Sequence, residues 1–285
     1  PMQVPDKYWD KFKDIDLTQQ GTFSKMSDDK YSGINYMDVN HSKAALAMSE
    51  NIDWNVGRII QTLQSLRIFE NTIIIYLSDN GPNGHRWNGG MKGIKGSTDE
   101  GGTRSPMIIS WKGNIPEGKQ VNTIASGIDL LPTLIDLTGI KTKPKNELDG
   151  LNLRKLIYQE DINWPDRYIY SYWRGRLSLR SQDFRLDNNN QLFNMEEDPN
   201  QLRNVSSTYK EIFDVMKKAK IKWENELLIN SETKKDNRAF IIGHPELKNT
   251  QIPARDAKPS GFIKRSNFYP NCSYMTNWVN IDDFI

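Results

Sequence analysis

The sequence predicts an α/β fold: a mainly parallel sheet flanked by helices, then a small antiparallel sheet with one helix. Three observations carry this. Apolar residues recur with helical period over residues 42–67, directly before an unbroken apolar, β-rich run at 72–77. That run has no polar interruption, which suits a strand buried on both faces of a parallel sheet, and helix then buried strand is half of a βαβ pattern. Beyond residue 150, short strand-like runs alternate with tight polar turns, the signature of antiparallel pairing.

Taken in order, residues 1–13 (PMQVPDKYWDKFK) read as a loop leading into a short amphipathic piece, and residues 16–40 as polar loop. In the helix at 42–67, Met48, Ile52, Val56, Ile59, Leu63 and Leu66 fall on one face. His41, near its start, reads as a capping or solvent-facing residue. After a turn at 67–71, the strand at 72–77 stops at Ser78-Asp79-Asn80-Gly81. A glycine-studded loop bearing His85, Lys92 and Lys95 leads to Glu100-Gly101-Gly102-Thr103-Arg104 and a second apolar run at 107–111.

Residues 112–118 are a turn-rich connection, and 121–128 read as a further short strand. Residues 129–139 form a short helix by their signals: Asp129 at the N-cap, Pro132 in the first turn, Gly139 at the end. The Lys-, Pro- and Asn-rich stretch 140–150 marks the expected boundary between two domains, 1–150 and 151–285. In the second, strands are expected at 168–173, 176–180, 184–187 and 191–195, and a helix at 208–228. Ile212, Val215, Met216, Ala219, Trp223 and Leu227 share that helix's apolar face. From residue 230 the chain reads as irregular, packed on the body through Phe262, Phe268, Tyr274 and Trp278; so many aromatics argue against a disordered tail.

The 285 residues hold 38 basic and 36 acidic side chains, a formal charge of +2 that gives no reason to propose nucleic acid binding. The single cysteine, Cys272, excludes an internal disulfide framework. No apolar run approaches the roughly 18 residues a membrane span needs. No export signal is visible, and the chain begins at Pro1 without an initiator Met.

The chemistry concentrates at residues 78–106. Asp79 and Asn80 would sit at the carboxyl end of a strand, where ligand crevices of open α/β sheets lie. A carboxylate beside an amide carbonyl offers hard oxygen ligands of the kind Ca²⁺ or Mg²⁺ takes. The downstream lysines supply positive charge for an oxyanion. Asp-Asn-Gly is also good turn chemistry, and a loop lysine can simply be solvated.

The pieces S-D-N-G, K-G-I-K and E-G-G-T-R-S-P, in that order, resemble the formylglycine-dependent sulfatases of the alkaline-phosphatase-like superfamily. D-L-L-P-T-L at 129–134 and Q-L-F-N-M-E-E-D-P-N-Q-L-R-N-V at 191–205 extend the resemblance to about residue 225. Lys92 stands where Arg is commoner, and Ser105 where Val is usual. The resemblance implies that Asp79 and Asn80 bind a divalent cation, most naturally Ca²⁺ with Mg²⁺ as the alternative, and that Lys95 is the catalytic contact to the sulfate. Lys92 is implied as a substrate-binding residue, with structural pairing as its rival role. His85, by its place on the same loop, is read as a substrate contact or proton donor, with a bland loop histidine as the rival reading. Arg104 is read as fixing the E-G-G turn through Glu100 or backbone carbonyls.

The family's nucleophile, a formylglycine made within C/S-x-P/A-x-R, has no counterpart motif here; Cys272 lies in P-N-C-S-Y and reads as a packed thiol. Pro1, Pro5 and Tyr8 match the spacing that follows the family's His-x-Pro. The expectation is therefore a sulfuric ester hydrolase acting on a sulfated small molecule or carbohydrate, whose N-terminal half is a missing partner, this chain being inactive alone. Periplasmic or secreted localisation follows from the family. A phosphoryl or phosphonate ester hydrolase of the same superfamily, or a non-catalytic sulfate- or glycan-binding protein, are the alternatives.

Overall fold

A computed structural model describes residues 3–17, 36–84, 86–141, 144–159, 163–228, 246, 249, 252–267 and 272–284. Two compact units divide it, residues 1–228 and 229–285.

In the first unit, α1 (Asp6–Trp9) packs on α2 (Tyr36–Ser65). Tyr8 is buried there, the Lys7 ammonium lies 4.4 Å from the Trp54 ring, and Lys11 pairs with Glu50. Among the described side chains of α2, Val39, Ser42, Ala44 and Ala47 are buried. Of the predicted apolar stripe, Met48, Val56 and Leu63 are partly buried while Ile52, Ile59 and Leu66 are exposed. His41 faces solvent.

The strand expected at 72–77 is β1 (Ile74–Leu77), and it pairs with β2 (Met107–Ser110) antiparallel, Leu77 opposite Met107. Among the described residues every strand pair is antiparallel, and Tyr76, Leu77, Met107 and Ile108 are exposed rather than buried on both faces. The reason is in the connection. Ser105 Oγ donates to the Ser78 carbonyl (2.8 Å), and Gly81 N–H to the Gly102 carbonyl (3.1 Å). The loop thus closes where β1 ends, so β2 must run back beside it. An apolar run encodes which faces tolerate dryness, not the direction of the neighbouring strand. Within the loop, α3 (Glu100–Thr103) is a single turn.

Residues 121–128 do not form the expected strand. Gln182 intercepts their backbone groups, accepting from Ile124 N–H (3.0 Å) and donating to the Asn122 carbonyl (3.2 Å). The helix α4 (Leu130–Thr138) ends at Gly139 in the left-handed conformation, φ 67°. Asp129 is fully buried as the acidic partner of a capping box with Ser126, so it closes the turn before α4 instead of capping α4 itself. It also takes Leu151 N–H (2.8 Å) and a two-pronged Arg167 guanidinium at 2.9 and 3.0 Å. These bonds cross the division expected at residue 150; the compact units part at 228/229 because 151–228 is bonded into the preceding residues.

After α5 (Arg154–Ile157), β3 (Ile169–Trp173), β4 (Arg176–Arg180), β5 (Phe184–Leu186) and β6 (Leu192–Asn194) build an antiparallel sheet in chain order. α6 (Lys210–Trp223) covers it and continues as one wider π turn to Leu228. Leu179, Leu186, Leu192 and Met216 form the core, ringed by Tyr168, Tyr170, Phe184, Ile212 and Phe213. The strands fall within two residues of the sequence reading, and β4, β5 and β6 bury consecutive residues, so both faces of the sheet are covered.

The second unit contains the two-residue strands β7 (Lys264–Arg265) and β8 (Met275–Thr276), paired antiparallel. Among its described residues, Ile263 and Cys272 are buried. Phe262, Tyr274 and Trp278, expected as anchors, are exposed, and Phe268 lies outside the described residues. No described helix is long and apolar enough to cross a membrane.

Candidate functional site

Two turns come together because glycine lets their backbones touch. A side-chain carbon on Gly81 would lie 1.7 Å from the Gly101 carbonyl oxygen, and one on Gly101 would lie 2.5 Å from the Gly93 carbonyl oxygen. The Asp-Asn-Gly turn therefore rests on α3, and the lysine loop folds over α3. Gly101 N–H donates to the Lys92 carbonyl (2.7 Å), and Lys95 N–H to the Pro82 carbonyl (2.9 Å). Asn88 stitches the loop internally by donating to the Met91 and Gly93 carbonyls at 2.9 and 3.1 Å.

Asp79 emerges from the end of β1 with its side chain 72% exposed, and Lys95 Nζ donates to its Oδ2 at 2.6 Å. That hydrogen bond, with lesser help from the lysine's charge and from backbone N–H groups, holds the Asp79 carboxyl below the usual carboxylate range. Asn80 is adjacent and partly buried, its carbonyl accepting from Ser78 Oγ at 3.0 Å. Asp79, Asn80 and Lys95 are thus brought to one place, as the sequence predicts.

Lys92 points elsewhere. Its ammonium lies 3.4 Å from Asp187 Oδ2 and 3.6 Å from Asp99 Oδ1, and 5.2 Å from the Phe193 ring centroid. Of its two readings, these contacts fit structural pairing: Lys92 ties the loop to the β5–β6 turn. His85 lies outside the described residues.

Sequence reasoning missed the framework beneath the loop. Glu100 is 5% exposed and collects Arg185 Nη1 at 2.7 Å, Arg180 Nε at 3.4 Å and Arg104 Nη1 at 3.6 Å. Arg185, 2% exposed, also reaches the Thr98 carbonyl, Thr103 Oγ1 and Ser178 Oγ. Burial pulls the Arg185 and Arg180 guanidiniums below their ordinary values, and Glu100 offsets it. Gln201, at φ 55°, accepts from Glu100 N–H at 2.9 Å. The only available signal was chemical: two arginines in a strand pattern that places them inward need a buried acid. The Arg104–Glu100 pairing is as expected.

A second missed cation is Arg86, on the loop between Asn80 and Lys92. It is partly buried, burial lowers its pKa, and no carboxylate among the described residues pairs with it. Among the described residues no three His, Cys, Asp or Glu side chains gather as a metal set. Asp79 and Asn80 offer oxygen donors of the right hardness for a divalent ion, but only part of the six to eight that Ca²⁺ takes.

An exposed carboxylate beside a partly buried amide at a strand end, with an ammonium against the carboxylate, offers oxygen donors to a cation and positive charge to an oxyanion. The "Sulfatase" family model matches residues 1–140, and the model "N-sulphoglucosamine sulphohydrolase, C-terminal" matches residues 95–226. An arylsulfatase of Clostridium perfringens is 29% identical over 272 residues, 86% of this chain and 54% of that protein. The N-acetylgalactosamine-6-sulfatase of Canis lupus familiaris is 38% identical over 130 residues, 44% of this chain and 24% of that protein. The solved structure of Ps i-CgsB superposes with a TM-score of 0.60 at 27% identity, covering 78% of this chain and 47% of that one. The chain belongs to the sulfatase family. It spans about half the length, or less, of the relatives it matches.

Proposed function

We propose that this chain supplies the sulfate clamp and part of the metal site of an enzyme that hydrolyses sulfate esters, on sulfated carbohydrate. The observation that carries this is the Lys95 ammonium held 2.6 Å from the exposed Asp79 carboxylate, inside the family's motifs. Asp79 and Asn80 would hold a divalent cation, most naturally Ca²⁺, which when bound neutralises charge on the sulfuryl oxygens. Lys95 stands at the edge of that ligand pair, so an oxyanion drawn to it meets the ammonium as well. Charge that builds on the sulfuryl group toward the transition state strengthens this contact more than the ground state does. Arg86 adds positive charge on the same loop.

The carbohydrate reading is supported by relatives. The Canis protein is named for N-acetylgalactosamine 6-sulfate, and Ps i-CgsB has been solved with k-i-k-neocarrahexaose. The nucleophile, a formylglycine, and the remaining metal ligands are expected from the half of the relatives' length outside this match, so the 285 residues alone should not turn over. Export to the periplasm or beyond the cell belongs to the same proposal.

The test uses the enzyme completed by that N-terminal half. Asp79→Ala should lose bound metal and turnover together. Lys95→Ala should lower kcat on an aryl sulfate by about 10²-fold, the order seen when one oxyanion donor is removed, with metal content kept. Wild-type kinetics in the Lys95→Ala enzyme would sink this assignment, and a preference for aryl phosphate over aryl sulfate would move the protein to phosphoryl transfer. Multiple turnovers by the 285-residue chain would overturn the division of labour.

A further inference from the structure

We propose that the tip of the β3–β4 hairpin, Trp173, Arg174 and Arg176, is a subsite for a second anionic sugar unit of the substrate, next to the ester held at Lys95. This rests on the sulfatase reading above and narrows its substrate class to sulfated oligosaccharides.

Position comes first. Gly96, the residue after Lys95, has φ +91°, and a side-chain carbon there would lie 4.0 Å from Trp173 Nε1. The indole therefore stands against the lysine loop. Exposure follows: Trp173 is 47% exposed at the end of its strand, whereas Tyr170 on the same strand stacks on Trp223 at 5.3 Å. The sheet core closes without Trp173. An accessible aromatic face beside a polar site packs against the C–H face of a sugar ring.

The turn chemistry is the third observation. Arg174 and Gly175 have φ +48° and +78°, and Trp173 pairs with Arg176, which together define a two-residue hairpin with both central residues left-handed. Asn-Gly is the favoured pair in such a turn; an arginine there is strained and is not explained by the turn. Its guanidinium carbon lies 5.4 Å from the Trp173 ring centroid. Arg176, directly opposite Trp173 in the ladder, shares its face of the sheet.

Charge is the fourth. Arg104, Arg167, Arg180 and Arg185 all meet carboxylates. Arg174 and Arg176 are exposed, and among the described residues no carboxylate pairs with either. Two guanidinium forks and an indole form a receptor for a sugar bearing sulfate or carboxylate. A monosulfated aryl ester has nothing to place there.

The experiment is a binding titration of the 285-residue chain with heparin-derived and carrageenan-derived sulfated hexasaccharides and with 4-nitrophenyl sulfate. At least one hexasaccharide should bind, and Trp173→Ala and Arg174→Gly should each weaken it by about ten-fold, the size of one lost charge-assisted bond. Binding of 4-nitrophenyl sulfate should be unchanged in both. Arg174→Gly relieves the left-handed backbone, so its effect cannot come from misfolding. Wild-type affinity for the hexasaccharide in both variants would overturn the subsite, as would no hexasaccharide binding by the unsubstituted chain. Neither result touches the sulfatase reading, which stands or falls on the Lys95→Ala kinetics of the completed enzyme.

Discussion

Asp79 sets the residue-scale chemistry. Its carboxyl is held below the ordinary range, first by the Lys95 hydrogen bond, so it is ionised throughout the neutral range. The sign is that of a depressed acid: the interaction is complete above the ordinary carboxylate pKa and is lost only as pH falls through the lowered value. Cation binding through Asp79 should therefore be flat with pH near neutrality and fail only in acid. Lys95→Ala removes the main cause, and the Asp79 titration, followed by carboxyl carbon NMR, should move up toward the usual value. An unmoved titration would mean that Lys95 does not hold Asp79 in solution. Because both groups are exposed, this pair should add little to stability.

At the scale of elements, the joint between the lysine loop and the four-stranded sheet decides whether the clamp is in place. Lys95 is carried by a loop that Glu100, Arg185 and Gln201 fasten to the sheet. Removing Glu100 leaves the Arg185 guanidinium buried and unpaired, which costs about 3–5 kcal/mol. Glu100→Ala should lower the urea midpoint accordingly. Arg185→Met with Glu100→Gln should recover much of the loss, since replacing both partners avoids a stranded charge. Equal destabilisation in the double variant would show that packing, not charge, sets the cost. In the sheet itself, Leu186→Ala should cost about 2–5 kcal/mol by opening a cavity in the β5–α6 core, measured by the same denaturation.

For the whole molecule, the apolar residues left exposed on one compact unit are the main feature. Ile52 and Ile59 on α2, Leu66 just beyond its end, and Leu77 and Ile108 on the β1–β2 pair, are open to solvent. Exposed apolar surface of this kind favours association. The 285-residue chain on its own should sediment as concentration-dependent oligomers, and Ile59→Lys with Ile108→Lys should shift it toward monomer. A monomer at all concentrations would mean that these residues find cover within the chain.

What the sequence determined by itself is whatever depends on local pattern. Period-3.6 apolar spacing placed α2 and α6, short strand-like runs between tight polar turns placed the four strands, and Gly139 and the Asp129 turn bounded α4, because these signals act over a few neighbouring residues. The strand-end position of Asp79 and Asn80, and their pairing in one loop with Lys95, were legible because the motifs lie within thirty residues of one another. Tertiary structure alone decided the rest. Strand direction came from the Ser78–Ser105 closure, the loss of a strand at 121–128 from a distant glutamine, and the placing of the Lys92 ammonium from Asp187, far along the chain. The Glu100–Arg185 joint and the approach of Trp173 to Gly96 likewise bring together residues far apart in sequence. Local patterning fixes which side chains turn inward, but a charge's partner is whichever group the folded chain carries to within a few ångströms, and no spacing rule encodes that distance.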